Sequence, residues 1–263
     1  MDGSRIAFDP VGKRFLRVSG ESGYTSGRQH ADRWRGGAGR GVFIRQGTRM
    51  CAEIERCITE YLPGTPIGTL KVLDFGCGVG RIALPFYHKY AALSACDVDP
   101  TAVAYLKRVH SGIDARATGY EPPTPFEADA FDVVYAVSVW THLPADLQMV
   151  WLREIHRILR PGGLALITTS SYRALASRRT KLKGWADVSD DQLQSDGFVF
   201  KATGATRGVT GTYGYALHTA EYVRANWSAV FDVVDTLQGA IESAQDMNVL
   251  RKRGGEAAVV KPW

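Results

Sequence analysis

Lys71-Val72-Leu73-Asp74-Phe75-Gly76-Cys77-Gly78-Val79-Gly80-Arg81 is the stretch from which the fold is read. Its first five residues form a short apolar run interrupted by a single acid, the pattern of a buried strand. Gly76, Gly78 and Gly80 follow within five residues. Glycine weakens helices and strands alike, so this density specifies a tight turn lying against a ligand, with the next helix presenting its free N–H groups. The Gly-Lys-Ser/Thr ending of a triphosphate loop is missing. Asp74, two residues before the first glycine, would repel a pyrophosphate, but it can order the loop or face a cationic ligand.

Working outward, the residues after the loop predict a crossover helix over 81–90, with Pro85 tolerable only in its first turns. A second strand over 91–96 ends in Asp97-Val98-Asp99-Pro100. Asp99-Pro100 reads as an N-cap followed by a first helical residue, which leaves Asp97 for another role. A carboxylate at the end of that strand can accept hydrogen bonds from both hydroxyls of a ribose. A thin third strand is expected over 115–119 and a buried fourth over 131–137. Between them lies a proline-rich loop at the edge where open parallel sheets bind ligands. Leu147, Trp151, Ile155 and Ile158 give a helix over 145–159 one apolar face, and Arg160-Pro161-Gly162-Gly163 turns it into a fifth strand over 164–169.

Upstream, Met50, Ile54, Ile58 and Tyr61 recur at helical spacing and predict a helix over 43–61. Residues 1–41 show no clear periodicity, and 19–41 reads as loop. Downstream, Thr219 and Glu221 open a helix ending near Trp227, and a strand hairpin over 231–237 and 247–250 completes the sheet. Residues 170–217 far exceed an ordinary strand-to-helix loop. They predict helices over 172–183 and 190–195 and strands over 198–202 and 212–217.

The segment Asp74–Arg81 resembles the first motif, D-x-G-x-G-x-G, of the class I S-adenosylmethionine-dependent methyltransferases. Phe131-Asp132, the stretch Ser138-Val139-Trp140-Thr141-His142-Leu143-Pro144, and EIHRILRPGGLALITT ending at Thr169 are similar to later segments of that family, so the resemblance runs from about Leu70 to Leu250. Gln245-Asp246 to Val249-Leu250 resembles the ending of a bacterial subgroup of small-molecule and saccharide-associated members. The resemblance implies a Rossmann-like, doubly wound α/β fold: seven strands, mainly parallel with the last antiparallel, and helices on both faces. It implies S-adenosyl-L-methionine as cofactor, with S-adenosyl-L-homocysteine as product.

On that resemblance the cofactor contacts are Asp74, Gly76, Cys77, Gly78, Gly80, Asp97 and Val98, with Tyr120 and Glu121 near the adenine and Ser138 at the end of the fourth strand. Tyr24, Arg28 and Arg45 would cover it from an N-terminal arm. His142 is placed where the methyl group emerges. There it is a general base for a hydroxyl acceptor or a side chain that packs over the cofactor. His218, heading a helix at the same edge, is the alternative base. Trp140, Trp185, Tyr213 and Tyr215 are expected around the acceptor, or as a satellite core. The Asn/Asp-Pro-Pro-Tyr/Phe signature of amino-group methylation of bases is missing from positions 138–141.

The domain organisation expected is an arm and helix over 1–64 acting as a lid, then a methyltransferase core over 65–263 interrupted by a substrate cap over 170–217. Cys51, Cys57, Cys77 and Cys96 show no paired spacing, so no metal site and a reduced, cytoplasmic setting are expected. No apolar run reaches the length of a membrane helix, and MDGSRIAFDP lacks an export signal pattern. A net charge of +5 is mild, and its basic clusters read as solvated surface rather than a nucleic-acid face. The expected partner is a small-molecule acceptor methylated on oxygen, by a monomer or homodimer. Nitrogen methylation, tRNA or rRNA methylation and a non-catalytic cofactor-binding subunit stand as alternatives, and a nicotinamide dehydrogenase is a distant one.

Overall fold

The computed structural model describes residues 4–9, 14–19, 37–181, 185–203 and 212–254. The chain opens with an antiparallel hairpin, β1 (Ser4–Asp9) and β2 (Arg14–Ser19), in a part of the sequence that shows no clear periodicity. Helix α1 (Gly37–Tyr61) begins six residues before the predicted start, through the glycine-rich Gly37–Gly41. Then come β3 (Lys71–Phe75), α2 (Ala83–Phe86), β4 (Ala92–Asp97), α3 (Pro100–Val109), β5 (Asp114–Ala117) and β6 (Phe131–Ala136). Pro85 falls in the first turn of α2, as expected, but α2 is a single turn and not a helix to residue 90. Asp99 caps α3 by accepting from the Thr101 amide at 2.9 Å.

The second half adds α4 (Ala145–Ile158), β7 (Leu159–Ser170), α5 (Tyr172–Lys181), α6 (Asp190–Asp196), β8 (Phe198–Ala202), β9 (Gly214–His218), α7 (Ala220–Trp227), β10 (Asp232–Ile241) and β11 (Gln245–Arg251). The seven-stranded sheet runs β10-β11-β7-β6-β3-β4-β5. β3, β4, β5, β6 and β7 pair in parallel and β11 pairs antiparallel to both β7 and β10. The order reverses between β3 and β6, so a crevice opens at their carboxyl ends, where open α/β sheets receive ligands.

Alternate side chains of the central strands enter opposite layers, as the pleat requires. Val72, Val133 and Tyr135 pack with Ile54 and Ile58 of α1 and Leu106 of α3. Leu73, Val134 and Ala136 pack with Trp151, Leu152 and Ile155 of α4 and Trp227 of α7. The segment between β7 and α7 has its own small core of Leu175, Trp185, Val188, Leu193, Val199 and Leu217, and β8 and β9 form a separate antiparallel pair.

β7 starts at Leu159, earlier than expected, because Arg160–Gly163 turns within the strand and shifts its register against β6. A Cβ on Gly163 would lie 2.9 Å from the Arg160 and Asp132 carbonyl oxygens, main-chain atoms that cannot swing aside. Gly163→Ala is therefore expected to lower stability by about 1–3 kcal/mol in urea unfolding. A variant as stable as the parent would show that this corner has slack.

Candidate functional site

At the end of β3 the chain turns through three left-handed glycines, Gly76, Gly78 and Gly80, with φ of 76°, 52° and 85°. The Gly76 and Cys77 amides both donate to the Cys96 carbonyl, at 2.8 and 3.0 Å. A Cβ on Gly76 would strike a methyl of Val139, and one on Gly80 would come 2.7 Å from Leu106, so packing alone explains these two glycines. Gly78 is different. A Cβ there would meet nothing within 4 Å, so its backbone faces open space in front of the loop.

Asp97, at the end of β4, sets the depth of that loop. One carboxylate oxygen accepts from the Gly78 amide at 2.7 Å and the other from the Asp99 amide at 2.9 Å. Each carboxylate oxygen has a second lone pair, so acceptor capacity remains for two hydroxyls. Burial raises its pKa, the Asp99 and Gly78 amides oppose the shift, and nearby Asp99 adds to it. Val98 beside it is half-buried. An open backbone at Gly78 under a strand-end carboxylate fits the sulfonium nucleoside that the motif implies.

Asp74 lies beneath the loop, 2% exposed. Burial pushes its carboxyl up to about 7, against the lowering effect of the Tyr135 hydroxyl and with a further push from Asp97. Helix α1 backs the loop: Gly47 is so close to the Arg81 carbonyl that no side chain fits, and the Cys51 thiol donates to the Ile82 carbonyl at 3.4 Å.

At the end of β6, Ser138 adopts φ 63°, a conformation that costs a non-glycine residue roughly 1–2 kcal/mol. Its amide donates to Thr168 Oγ1 at 2.7 Å, and Gln245 Nε2 donates to its hydroxyl at 2.8 Å. The chain then makes a 3₁₀ turn, Trp140–His142. His142 Nδ1 lies 2.8 Å from the Gly214 carbonyl. A carbonyl only accepts, so Nδ1 carries a proton, and in the neutral form of the ring the second nitrogen, Nε2, is the basic one. Tyr213 stacks on this ring at 4.6 Å and Tyr215 lies tilted at 5.2 Å. Strand β9 and the residue before it thus bring His142, Tyr213 and Tyr215 together, and the Tyr120 hydroxyl donates to the carbonyl of Thr212, the residue before Tyr213.

Other expectations are placed differently. Trp140 is fully buried between Phe75 and Trp227, at 5.8 and 6.4 Å, and Trp185 belongs to the core of the segment before β8. Neither lines an acceptor pocket, because both large rings are spent on packing. His218 is 1% exposed, among Phe198, Tyr222 and Trp227, with Nε2 held 3.0 Å from Gln148 Oε1. Burial pushes its pKa down to about 3, which makes it a poor proton acceptor at neutral pH. Cys77 is buried within the loop, and its thiol donates to the Gly78 carbonyl at 3.4 Å. Glu121 is exposed beside half-buried Tyr120, and Arg45 is an exposed residue of α1. Tyr24 and Arg28 lie outside the described residues.

Gly47, Cys51, Thr168, Gln148 and Gln245 are supporting residues that the sequence reading passed over. A glycine inside a helical pattern was a usable signal for Gly47, since it costs stability there unless something approaches closely.

Residues 73–167 match the family model described as "Methyltransferase domain". The ubiquinone biosynthesis O-methyltransferase of Pseudomonas aeruginosa is 32% identical over 103 residues, 38% of this chain and 44% of that protein. That of Bradyrhizobium diazoefficiens is 34% identical over 123 residues, 45% and 46% of the two. The chain thus spans less than half the length of these curated relatives. A TehB-like SAM-dependent methyltransferase from Corynebacterium glutamicum shares the fold, with TM-score 0.53 and 21% identity over 86% of this chain and 97% of that one. Among the described residues, no helix is long and apolar enough to cross a membrane.

The raised Asp74 pKa has a definite sign. Its folded value near 7 exceeds the ordinary 3.8, so the stability it contributes is complete below about pH 4 and is lost as pH rises through about 7. Asp74→Asn cannot ionise, and in urea unfolding it is expected to match the parent near pH 4 and exceed it above pH 7, by about 1–4 kcal/mol. Parallel pH profiles for the two proteins would contradict this.

Proposed function

We propose that this chain, whose residues 73–167 match the methyltransferase-domain model, is a class I S-adenosylmethionine-dependent methyltransferase that transfers a methyl group from S-adenosylmethionine to a hydroxyl oxygen of a small molecule. One observation carries the reading: the open, left-handed Gly78, pinned by Asp97 at the reversal of the strand order, with the His142 turn at the end of the neighbouring strand. The choice of oxygen is supported by relatives named as O-methyltransferases, and by an imidazole at the position where a hydroxyl must lose its proton.

The cofactor supplies an activated methyl group ready for in-line displacement. The chain then has to hold and align two partners, and alignment is worth several kcal/mol of the barrier. In this reading Gly76, Cys77, Gly78 and Gly80 hold the cofactor's amino-acid end, with Asp74 beneath them. Asp97 accepts from the ribose hydroxyls, Val98, Tyr120 and Glu121 border the adenine, and Ser138 lies beside the sulfur.

His142 takes the acceptor's proton at Nε2, while its Nδ1–H remains on the Gly214 carbonyl and fixes both tautomer and ring plane. Tyr213 and Tyr215 border the acceptor, and the 170–217 segment acts as the cap that carries them. An amine acceptor would deliver its proton to the same nitrogen, so the acceptor atom is decided by the pocket and not by the base.

Asp97→Ala should weaken S-adenosylhomocysteine binding by about 1–3 kcal/mol in calorimetry, since a charged acceptor is removed; unchanged affinity would refute the ribose role. For any small alcohol or phenol that the parent methylates, His142→Ala should lower kcat by about 10²–10⁴-fold with little change in cofactor affinity. Parallel losses in both would reduce His142 to packing.

A further inference from the structure

Helix α4 carries three hydrogen-bonding side chains on one buried stripe, Gln148, Trp151 and Glu154, spaced three residues apart and 1%, 3% and 6% exposed. Each reaches the main chain of a loop at the site. Trp151 Nε1 donates to the Tyr120 carbonyl at 3.1 Å and Glu154 Oε1 accepts from the Thr124 amide at 2.8 Å, so these two hold the loop after β5. Gln148 reaches the other way. Its Nε2 donates to the Leu143 carbonyl at 2.9 Å and to the Trp140 carbonyl at 3.2 Å, on either side of Thr141 and His142.

The turn needs that grip. It is a single 3₁₀ turn, Trp140–His142, and the bond from the Leu143 amide back to the Trp140 carbonyl is long, at 3.4 Å. Ser138, two residues upstream, already sits at φ 63°. A buried side-chain amide is itself costly unless both of its ends are matched. Carbonyls only accept, so the amide nitrogen faces the turn and Oε1 faces His218 Nε2, at 3.0 Å. The Ser170 main chain bonds the same ring, and Phe198, Tyr222 and Trp227 pack around it. Gln148 is thereby anchored on a fixed side chain and kept aimed at the turn.

His142 is held at two ends. The Gly214 carbonyl takes Nδ1 at 2.8 Å and orients the ring, while Gln148 fixes the backbone from which the ring projects. We propose that Gln148 is a positioning residue for methyl transfer, setting where His142 Nε2 stands without touching acceptor or cofactor. This inference rests on the methyl-transfer reading and adds to it a residue that acts only through His142. With the carbonyls of residues 140 and 143 released, the imidazole keeps its chemistry but loses its place. A misplacement of about 1 Å at a reacting group costs roughly 10²-fold.

The test compares full-length Gln148→Met and Gln148→Asn with the parent. Methionine fills the space without a donor, and asparagine keeps the amide but is too short to reach the turn. Isotope-labelled histidine, with His142→Ala to assign the signal, lets long-range proton–nitrogen NMR read which His142 nitrogen carries the proton in protein loaded with S-adenosylhomocysteine. The parent should show Nδ1–H. In both variants the ring should leave Gly214, so part of that population should shift to Nε2–H. For whichever small alcohol or phenol the parent methylates, both variants should lower kcat roughly 10–100-fold with unchanged S-adenosylhomocysteine affinity. In a His142→Ala background they should cost nothing further. The proposal is overturned if the His142 tautomer is unmoved in both variants or if the kcat losses multiply with that of His142→Ala. It is also overturned if neither variant binds S-adenosylhomocysteine, which would make Gln148 a residue of the fold. A parent that fails to bind S-adenosylhomocysteine overturns the methyl-transfer reading instead, and the tautomer comparison on the unloaded chain then decides the hold by itself.

Discussion

The bond from the Gly78 amide to the Asp97 carboxylate is the constraint on which the rest of the site depends. With the Asp99 amide on the other oxygen and the Gly76 and Cys77 amides on the Cys96 carbonyl, four main-chain donors converge on the last two residues of one strand. The parallel pairing of β3 with β4 brings Phe75 opposite Cys96, and this register delivers the loop to those acceptors. Loop shape is thereby a property of the sheet. These four bonds set the turn before any ligand arrives.

The second half of the site is organised by β9. Its first residue, Gly214, receives the His142 ring and its last residue is His218, so the strand lies between two histidines with opposite duties. Gln148 on α4 links them, donating to the turn that carries His142 and accepting from His218. One imidazole is half-buried at the aromatic cluster of Tyr213 and Tyr215. The other is sealed in the interior and kept neutral by its surroundings.

Much of this was legible in the chain. The glycine spacing, the apolar runs of β3 and β6, the Asp99-Pro100 cap and the amphipathic face of α4 are local signals, and each local element formed where its signal stood. What could not be read depends on distant partners. The His142–Gly214 bond spans 72 residues, and nothing near His142 announces it. Trp140 read as a pocket wall because residue type cannot separate a wall from a core; burial between Phe75 and Trp227 decides it. The start of α1 was hidden because glycine disfavours helix by about 1 kcal/mol per residue, so Gly37–Gly41 looked like loop. At Gly47 the same residue type serves contact with the Arg81 carbonyl instead.

Helix α1 is also fastened to the far edge of the sheet. The Tyr61 hydroxyl donates to Asp235 on β10 at 2.7 Å, Arg251 on β11 donates to the Tyr61 carbonyl at 2.7 Å, and Gln46 and Arg49 reach Glu242 at the hairpin tip. The same helix props up the nucleotide turn from below through Gly47 and Cys51. It is therefore a brace spanning early and late parts of the chain, and the stretch from 73 to 167 is not mechanically self-sufficient. A chain lacking only the brace would bare the Val72–Tyr135 layer and free the C-terminal strand pair to swing, however complete its motifs looked on paper.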